Sequence, residues 1–260
     1  VQSLERGLAV IRAFDRSRPR LTLSEVARHT GLSRAAARRF LHTLVELGYV
    51  RTDGRLFALQ PRVLELGYAY LSSLTLPDVA RPHLEALTAA TRESCSVSVL
   101  DGEEIVYVAR VATERIMTVA ISVGTRFPAH ATSMGRVLLA ALPSDAREAY
   151  LGRARLTLLT PFTVTDPARL REVLAGVAEA GWAVVDQELE EGLRSIAVPV
   201  HDRDGQVVAA MNVSTSAHRS TRDALVADLL PPLRATVRQV EADLRRGGAA
   251  EAAVRGSRVR

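Results

Sequence analysis

"SRAAARRFLHTLVELGYV" (33–50) reads as one complete helix with a start signal and a stop signal. Ser33 carries a hydroxyl that can cap the free N–H groups of a first turn. Gly48 stands where a left-handed residue closes a helix. Between them Ala37, Phe40, Leu41, Leu44 and Leu47 recur at spacings of three and four, which predicts one buried stripe. Arg34, Arg38, Arg39, His42 and Glu46 fall on the opposite side. A solvated helix face could gather three arginines by composition alone, so the flanking sequence has to decide what this basic end is for.

Upstream, Ser3 caps a first helix on which Leu4, Leu8, Ile11 and Phe14 share a face, and "RSRP" (16–19) breaks it. "TLSE" (22–25) matches a capping box, with Thr22 as N-cap and Glu25 reaching back. "HTGLS" (29–33) is a tight turn centred on Gly31. Downstream, "YVRTDGRLFAL" (49–59) alternates around Asp53-Gly54, which predicts a hairpin with a two-residue turn. Helix, helix, glycine turn, helix and hairpin, in that order, make a winged helix-turn-helix. Its second helix enters the major groove with its N-terminal residues against the base edges. Small Ala35 and Ala36 permit a close approach, while Arg34, Arg38 and Arg39 reach guanine edges or phosphates. Arg51 and Arg55 flank the tip of the wing. The predicted DNA-binding set is therefore Ser33, Arg34, Ala35, Arg38, Arg39, Arg51 and Arg55.

Charge supports this reading. All 34 basic residues among the 260 are arginine. Residues 1–62 hold 12 arginines against 5 acids, a net of +7, whereas residues 63–244 hold 17 against 23, a net of −6. A basic module on an acidic body is the footprint of a polyanion binder. With 47% hydrophobic residues the chain has the composition of a folded protein. No run approaches the ~20 apolar residues of a membrane span and no signal-peptide pattern is seen, so a cytoplasmic protein without a membrane partner is expected. Cys95, the single cysteine, allows neither an intramolecular disulfide nor a cysteine metal cluster.

The expected organisation is a DNA-binding domain at 1–61, a linker helix at 62–76, a larger domain at 77–246 and a disordered tail at 247–260. "RVLELGYAYLSSL" (62–74) is apolar nearly all round, which predicts a dimer contact; two symmetric half-sites then imply a palindromic operator. In the larger domain "CSVSVL" and "EIVYVARV" form a hairpin through Asp101-Gly102, and "IMTVAISV" (116–123) reads as a third strand. "TSMGRVLLAAL" and "DPARLREVLAGVAEAG" are helical, the second behind an Asp166 cap. "WAVVDQ", "RSIAVPVHD" and "QVVAAMNVS" return to strands, and 220–246 is a long helix. Hairpin-linked strands with grouped helices predict an α+β fold with an antiparallel sheet.

No phosphate-binding loop, nucleophile elbow or zinc-protease motif is present, and the six histidines lack ligand spacing. "DRDG" (202–205) reads as a turn, and "DQELEEG" (186–192) as a solvated acidic loop. No catalytic residues, metal site or cofactor are predicted. The alternative is a small-molecule enzyme with an appended DNA-binding module. The polar residues look more like a binding pocket. Arg126, His130 and Thr132 precede a helix that starts with Ser133 and Met134, and a helix start suits a carboxylate. Ser195, Asn212 and Ser214 are polar positions in otherwise apolar strands.

"LTLSEVA", "GLSRAAARRFLHTLVELGYV", "FPAHATSMGRVLL" and "EGLRSIAVPVHDRDGQVVAAMNVS", occurring in this order, resemble the IclR family of bacterial transcription regulators over nearly the whole chain. "VQSLERGLAVIRAF", "RVLELGYAYLSSL" and "DQELEEGLRSIAVPV" resemble the branch that regulates the β-ketoadipate pathway and its aromatic-acid feeders, the pca and pob regulators. The resemblance implies a GAF-like effector domain, a homodimer or dimer of dimers, and a small organic acid as effector. Carried over by position, it implies effector contacts at Ser133, Met134, Ser195, Asn212 and Ser214. The chain departs from the glyoxylate-responsive member, which has glycine and alanine at 133–134 and a serine at 212. An aromatic or keto-dicarboxylic acid such as protocatechuate, 4-hydroxybenzoate or β-ketoadipate is expected instead.

Overall fold

The computed structural model describes residues 2–15, 17–66, 75–113 and 121–257. It divides into two compact units, Val1–Ser73 and Leu74–Arg260. Most of the expected linker helix lies outside the described residues.

In the first unit α1 (Gln2–Arg12), α2 (Leu23–Thr30) and α3 (Arg34–Glu46) pack with a three-stranded sheet. Its strands are β1 (Leu21–Thr22), β2 (Val50–Thr52) and β3 (Leu56–Leu59), with β3 in the centre. The capping box forms: Thr22 N–H donates to Glu25 Oε2 at 2.7 Å, and Glu25 N–H to Thr22 Oγ1 at 3.4 Å. Ser33 Oγ accepts Ala36 N–H at 3.2 Å, a cap of about 1 kcal/mol that sets where α3 begins. Between these helices Gly31 takes φ 66°, a left-handed turn that a side chain would strain. Val10, Val26, Ala37, Leu41 and Val50 fill the core with no exposed surface.

Three local expectations need correction. Leu4 and Leu8 are 67% and 47% exposed, because α1 buries Val10 and sets Gly7 beside the Phe40 ring, with Phe14 buried just past its end. Leu47 is half exposed, since α3 ends before the stripe reaches it. The wing turn is shifted by one residue from Asp53-Gly54 to Gly54-Arg55: Thr52 pairs with Phe57, Asp53 N–H donates to the Leu56 carbonyl at 3.3 Å, and Asp53 Oδ1 accepts the N–H groups of Arg55 and Leu56 at 3.0 and 2.7 Å. The side chain of Asp53 thus takes up the N–H groups of the turn and moves its centre one residue along the chain.

The second unit is one antiparallel six-stranded sheet between two helical layers. Its strands are β4 (Ser94–Asp101), β5 (Glu104–Val111), β6 (Arg126–Pro128), β7 (Ala183–Asp186), β8 (Leu193–His201) and β9 (Val207–Ser216). They lie in the order β6-β5-β4-β9-β8-β7. Cys95, Val97, Met211 and Val213 face α4 (Thr75–Thr91) and α8 (Arg222–Ser257), meeting Leu84, Leu233 and Val240. Ile105, Ala197 and Ala210 face α5 (Ser133–Ala140), α6 (Ser144–Arg153) and α7 (Pro167–Ala180), meeting Leu139, Tyr150, Leu170 and Leu174. Alternation along each strand therefore builds two cores from one sheet.

Of the expected strand 116–123, residues 121–123 are not in a strand and the rest lies outside the described residues. The edge strand is Arg126–Pro128, with Phe127 opposite Ile105. Helix α8 runs on to Ser257, past the expected end at 246 and into the stretch expected to be disordered. "AAEAAVR" beyond Gly248 consists of strong helix formers apart from its valine, which carries the helix past two glycines. "DRDG" is a turn, with Asp202 Oδ1 accepting the N–H groups of Asp204 and Gln206, both at 2.9 Å.

Candidate functional site

The first unit presents a basic face. Ser33, Arg34, Ala35, Arg38, Arg39, Arg51 and Arg55 are all exposed. Among the described residues none of these five arginines is in an ion pair; Arg38 Nε lies 3.5 Å from His42 Nε2. The cap on Ser33 and the buried Ala37–Leu41–Leu44 line orient α3 so that its arginine side faces outward. Unpaired guanidinium groups at a helix start, beside a basic wing, can neutralise phosphates and donate in pairs to guanine.

The second unit holds a small cavity of about 10 Å³ at the start of α5, room for about one water molecule, so an organic ligand has to widen it. Its wall is formed by Tyr107, Ile121, Ala131, Thr132, Ser133, Val185, Leu189, Leu193, Ser195, Asn212 and Ser214. Thr132 Oγ1 caps the helix by accepting Gly135 N–H at 3.0 Å. Gly135 permits the tight approach, because a Cβ there would lie 2.1 Å from the Ala129 carbonyl oxygen. The helix start is thereby pressed against the turn Ala129–Ala131, and Ser133 Oγ accepts from Ser195 Oγ at 2.8 Å. Ser195 stands opposite Ser214 across β8 and β9. Asn212 Nδ2 donates to Ser214 Oγ at 3.0 Å, while Asn212 Oδ1 is buried with no partner among the described residues. Such an orphan acceptor is costly unless something enters to satisfy it.

Four of the expected pocket residues, Ser133, Ser195, Asn212 and Ser214, thus meet in one wall. The other three do not. Arg126 lies on edge strand β6, exposed, held by Glu104 at 2.7 Å and Asp101 at 2.8 Å from the neighbouring hairpin. His130 is buried beyond the turn, donating from Nε2 to the Thr157 carbonyl at 3.2 Å, and burial lowers its pKa. Met134, one step round α5 from Ser133, points under the sheet, where its Sδ lies 3.3 Å from the Ser98 hydroxyl. Proximity in sequence was misleading here, because strand, turn and helix send consecutive side chains in different directions.

The acidic loop also needs correction. Glu188 is not solvated: its Oε2 accepts from Arg136 Nη2 at 2.5 Å and from Val164 N–H at 2.9 Å. The two side chains are 9% and 4% exposed, and Arg136 Nε donates to the His130 carbonyl at 3.0 Å. This pair fastens the loop that carries Leu189 into the cavity wall. Tyr107, Val185 and Leu193 were missed from sequence as lining residues because their signal is strand parity, legible only once the register is known; Leu189 reaches the wall from the loop between β7 and β8.

A wider groove of about 450 Å³ runs between α5, α7 and α8, but it is open to solvent. There His201 pairs with Glu241 at 2.7 Å and Arg234 donates to the Ala180 carbonyl at 3.1 Å. The Cys95 thiol is buried and pushed up to about 11, so it behaves as an apolar core residue. Among the described residues no group of three or more His, Cys, Asp or Glu is placed to hold a metal ion, and no helix is long and apolar enough to cross a membrane.

Comparison with known proteins agrees with both units. Residues 3–54 match the IclR helix-turn-helix domain and residues 68–242 match the bacterial transcriptional regulator IclR C-terminal domain. The chain belongs to the IclR family of bacterial transcriptional regulators. It is 49% identical to the Pca regulon regulatory protein of Pseudomonas putida, over 92% of this chain and 82% of that protein. It is 40% identical to the p-hydroxybenzoate hydroxylase transcriptional activator of Acinetobacter baylyi, over 92% of this chain and 90% of that protein. An IclR homologue from Microbacterium hydrocarbonoxydans, solved in complex with 4-hydroxybenzoate, superposes with a TM-score of 0.83. It is 29% identical and covers 94% of this chain and 99% of its own. These relatives are regulators, not enzymes, and the winged module is a DNA-binding one.

Proposed function

We propose that the protein is a regulator of aromatic-acid catabolism whose operator affinity or promoter activity is set by a small aromatic acid bound at the α5 cavity. The observation that carries the proposal is the enclosed wall of Ser133, Ser195, Asn212 and Ser214, with the Asn212 acceptor buried and unpartnered. The names of the Pca regulon relative and of the 4-hydroxybenzoate complex support the choice of ligand class. Ser33, Arg34, Ala35, Arg38, Arg39, Arg51 and Arg55 bind a palindromic operator. Residues 62–76 join the protomers of a homodimer or a dimer of dimers, and 77–246 form the effector domain. Such a protein works in the cytoplasm.

The test is calorimetry of the full-length protein with 4-hydroxybenzoate and protocatechuate. Ser195→Ala and Asn212→Ala are expected to weaken binding about tenfold or more, the loss of one hydrogen bond to a charged ligand. Effector-free DNA affinity should stay as in the wild type. Wild-type affinity in both variants would move the site elsewhere.

A further inference from the structure

Arg110 stands on the same face of the sheet as the cavity wall. Across β5, β4, β9 and β8 the register runs Arg110, Ser96, Asn212, Ala197. A bulge brings it there. Val97 pairs with Ala109 and Ser98 with Tyr107, leaving Val108 as an extra residue. Tyr107 and Arg110, three apart, therefore both point to the α5 side, whereas strict alternation would separate them. Arg110 Nη1 donates to Ser96 Oγ at 3.1 Å, and Nε is buried with no partner among the described residues. No described carboxylate is ion-paired with this guanidinium; the acid nearest in sequence, Glu114, lies outside the described residues.

Arg110 is partly buried, and the titratable groups it feels are Tyr107 and Cys95. Burial pushes these up to about 12 and about 11, so both are neutral at pH 7. A cation taken out of water without a counter-charge is costly, and an anionic ligand relieves that cost. Across the next strand, beyond Ser96, the Asn212 carboxamide can turn its Nδ2–H groups toward an anion, with the Ser214 hydroxyl then donating to Oδ1. At the helix side of the wall the Ser133 and Ser195 hydroxyls satisfy each other, an arrangement suited to a neutral hydroxyl.

We propose that Arg110 is the anion anchor of the effector site: it holds the ligand carboxylate from the strand side, while Ser133 and Ser195 take the ring hydroxyl. This rests on the aromatic-acid reading above and reverses the orientation that the helix start alone would favour.

The experiment is calorimetry of the full-length protein with 4-hydroxybenzoate and its neutral isostere 4-hydroxybenzamide. Wild type should prefer the acid. Arg110→Gln should weaken the acid about 10- to 100-fold, with little effect on the amide. Arg110→Lys should keep the preference for acid at reduced affinity. Effector-free Arg110→Gln should melt no lower than wild type, because it removes a partly buried cation that has no ion pair among the described residues. The anchor is overturned if Arg110→Gln keeps the wild-type acid-over-amide ratio, or if both Arg110 variants lose the fold. Wild type that binds neither 4-hydroxybenzoate nor protocatechuate would overturn the aromatic-acid reading itself. Binding by wild type with an unchanged Arg110→Gln ratio would overturn only the anchor.

Discussion

Truncating Glu188 to alanine removes the counter-charge of a guanidinium that is only 4% exposed. It also strands the Val164 N–H that shares the same carboxylate oxygen. Breaking a buried pair from one side costs about 3–5 kcal/mol, since the remaining charge is left in the interior. The ordinary stability of a domain is about 5–15 kcal/mol, so roughly a fifth or more is lost. For a unit of this size that corresponds to a fall in melting temperature of roughly 6–20 °C. Glu188 precedes Leu189, which lines the cavity, so 4-hydroxybenzoate affinity should fall as well. Urea unfolding of Glu188→Ala, Arg136→Met and the Arg136→Met/Glu188→Leu pair tests the reasoning. Each single variant should lose several kcal/mol, and the apolar pair should recover most of it, because neither charge remains to be desolvated. Single variants that cost less than about 1 kcal/mol, or costs that simply add, would show that the pair does not hold this loop.

Two further outcomes are expected. Arg34→Ala should cost about 1–3 kcal/mol on the specific operator, whereas Arg51→Ala and Arg55→Ala should weaken all sequences alike and flatten the salt dependence. Equal losses of Arg34→Ala on specific and random DNA in a binding titration would remove that residue from base readout. His130 has a folded pKa below its usual 6.5 because burial disfavours the imidazolium. Above pH 6.5 both states are neutral and nothing changes. Below it the unfolded chain takes up a proton that the folded chain refuses, so stability falls with acidification by at most about 1.4 kcal/mol per pH unit. Urea midpoints from pH 7.5 to 5.5 should show this slope, and His130→Gln should reduce it; the same slope in both proteins would assign it to other groups.

Fold and element order were legible where one signal was local and strong. Thr22 with Glu25, Ser33, and Asp166 before Pro167 are caps whose partners lie three residues away, and each bond forms where the spacing predicts it. What escaped was set by tertiary contact. Two-residue strand β1 exists only because β3 offers it a partner, so no periodicity could announce it. Leu4 and Leu8 satisfy the helical stripe as well as Val10 does, but the short helix is covered along one line only. Helix α6 has a weak apolar pattern and is held by the burial of Tyr150 and Leu151.

The site followed the same division, with a consequence for where its charge lies. Ser195, Asn212 and Ser214 were legible because a polar residue in an apolar strand of even parity must share a face with the next such residue. Arg110 obeys that logic too, yet the bulge at Val108 shifts its parity, so alternation counted from Tyr107 puts it on the wrong face. Arg126 drew the assignment of the site's cation because it precedes the helix start in sequence. It is in fact already neutralised by Asp101 and Glu104, and it is exposed. A paired, solvated guanidinium has little left to give an incoming anion, since water and carboxylates already surround it. A partly buried one with no ion pair among the described residues has most to gain. The electrostatics of the pocket therefore rest on the arginine that sequence proximity overlooked, and the same reasoning makes Arg126→Ala nearly silent where Arg110→Gln is not.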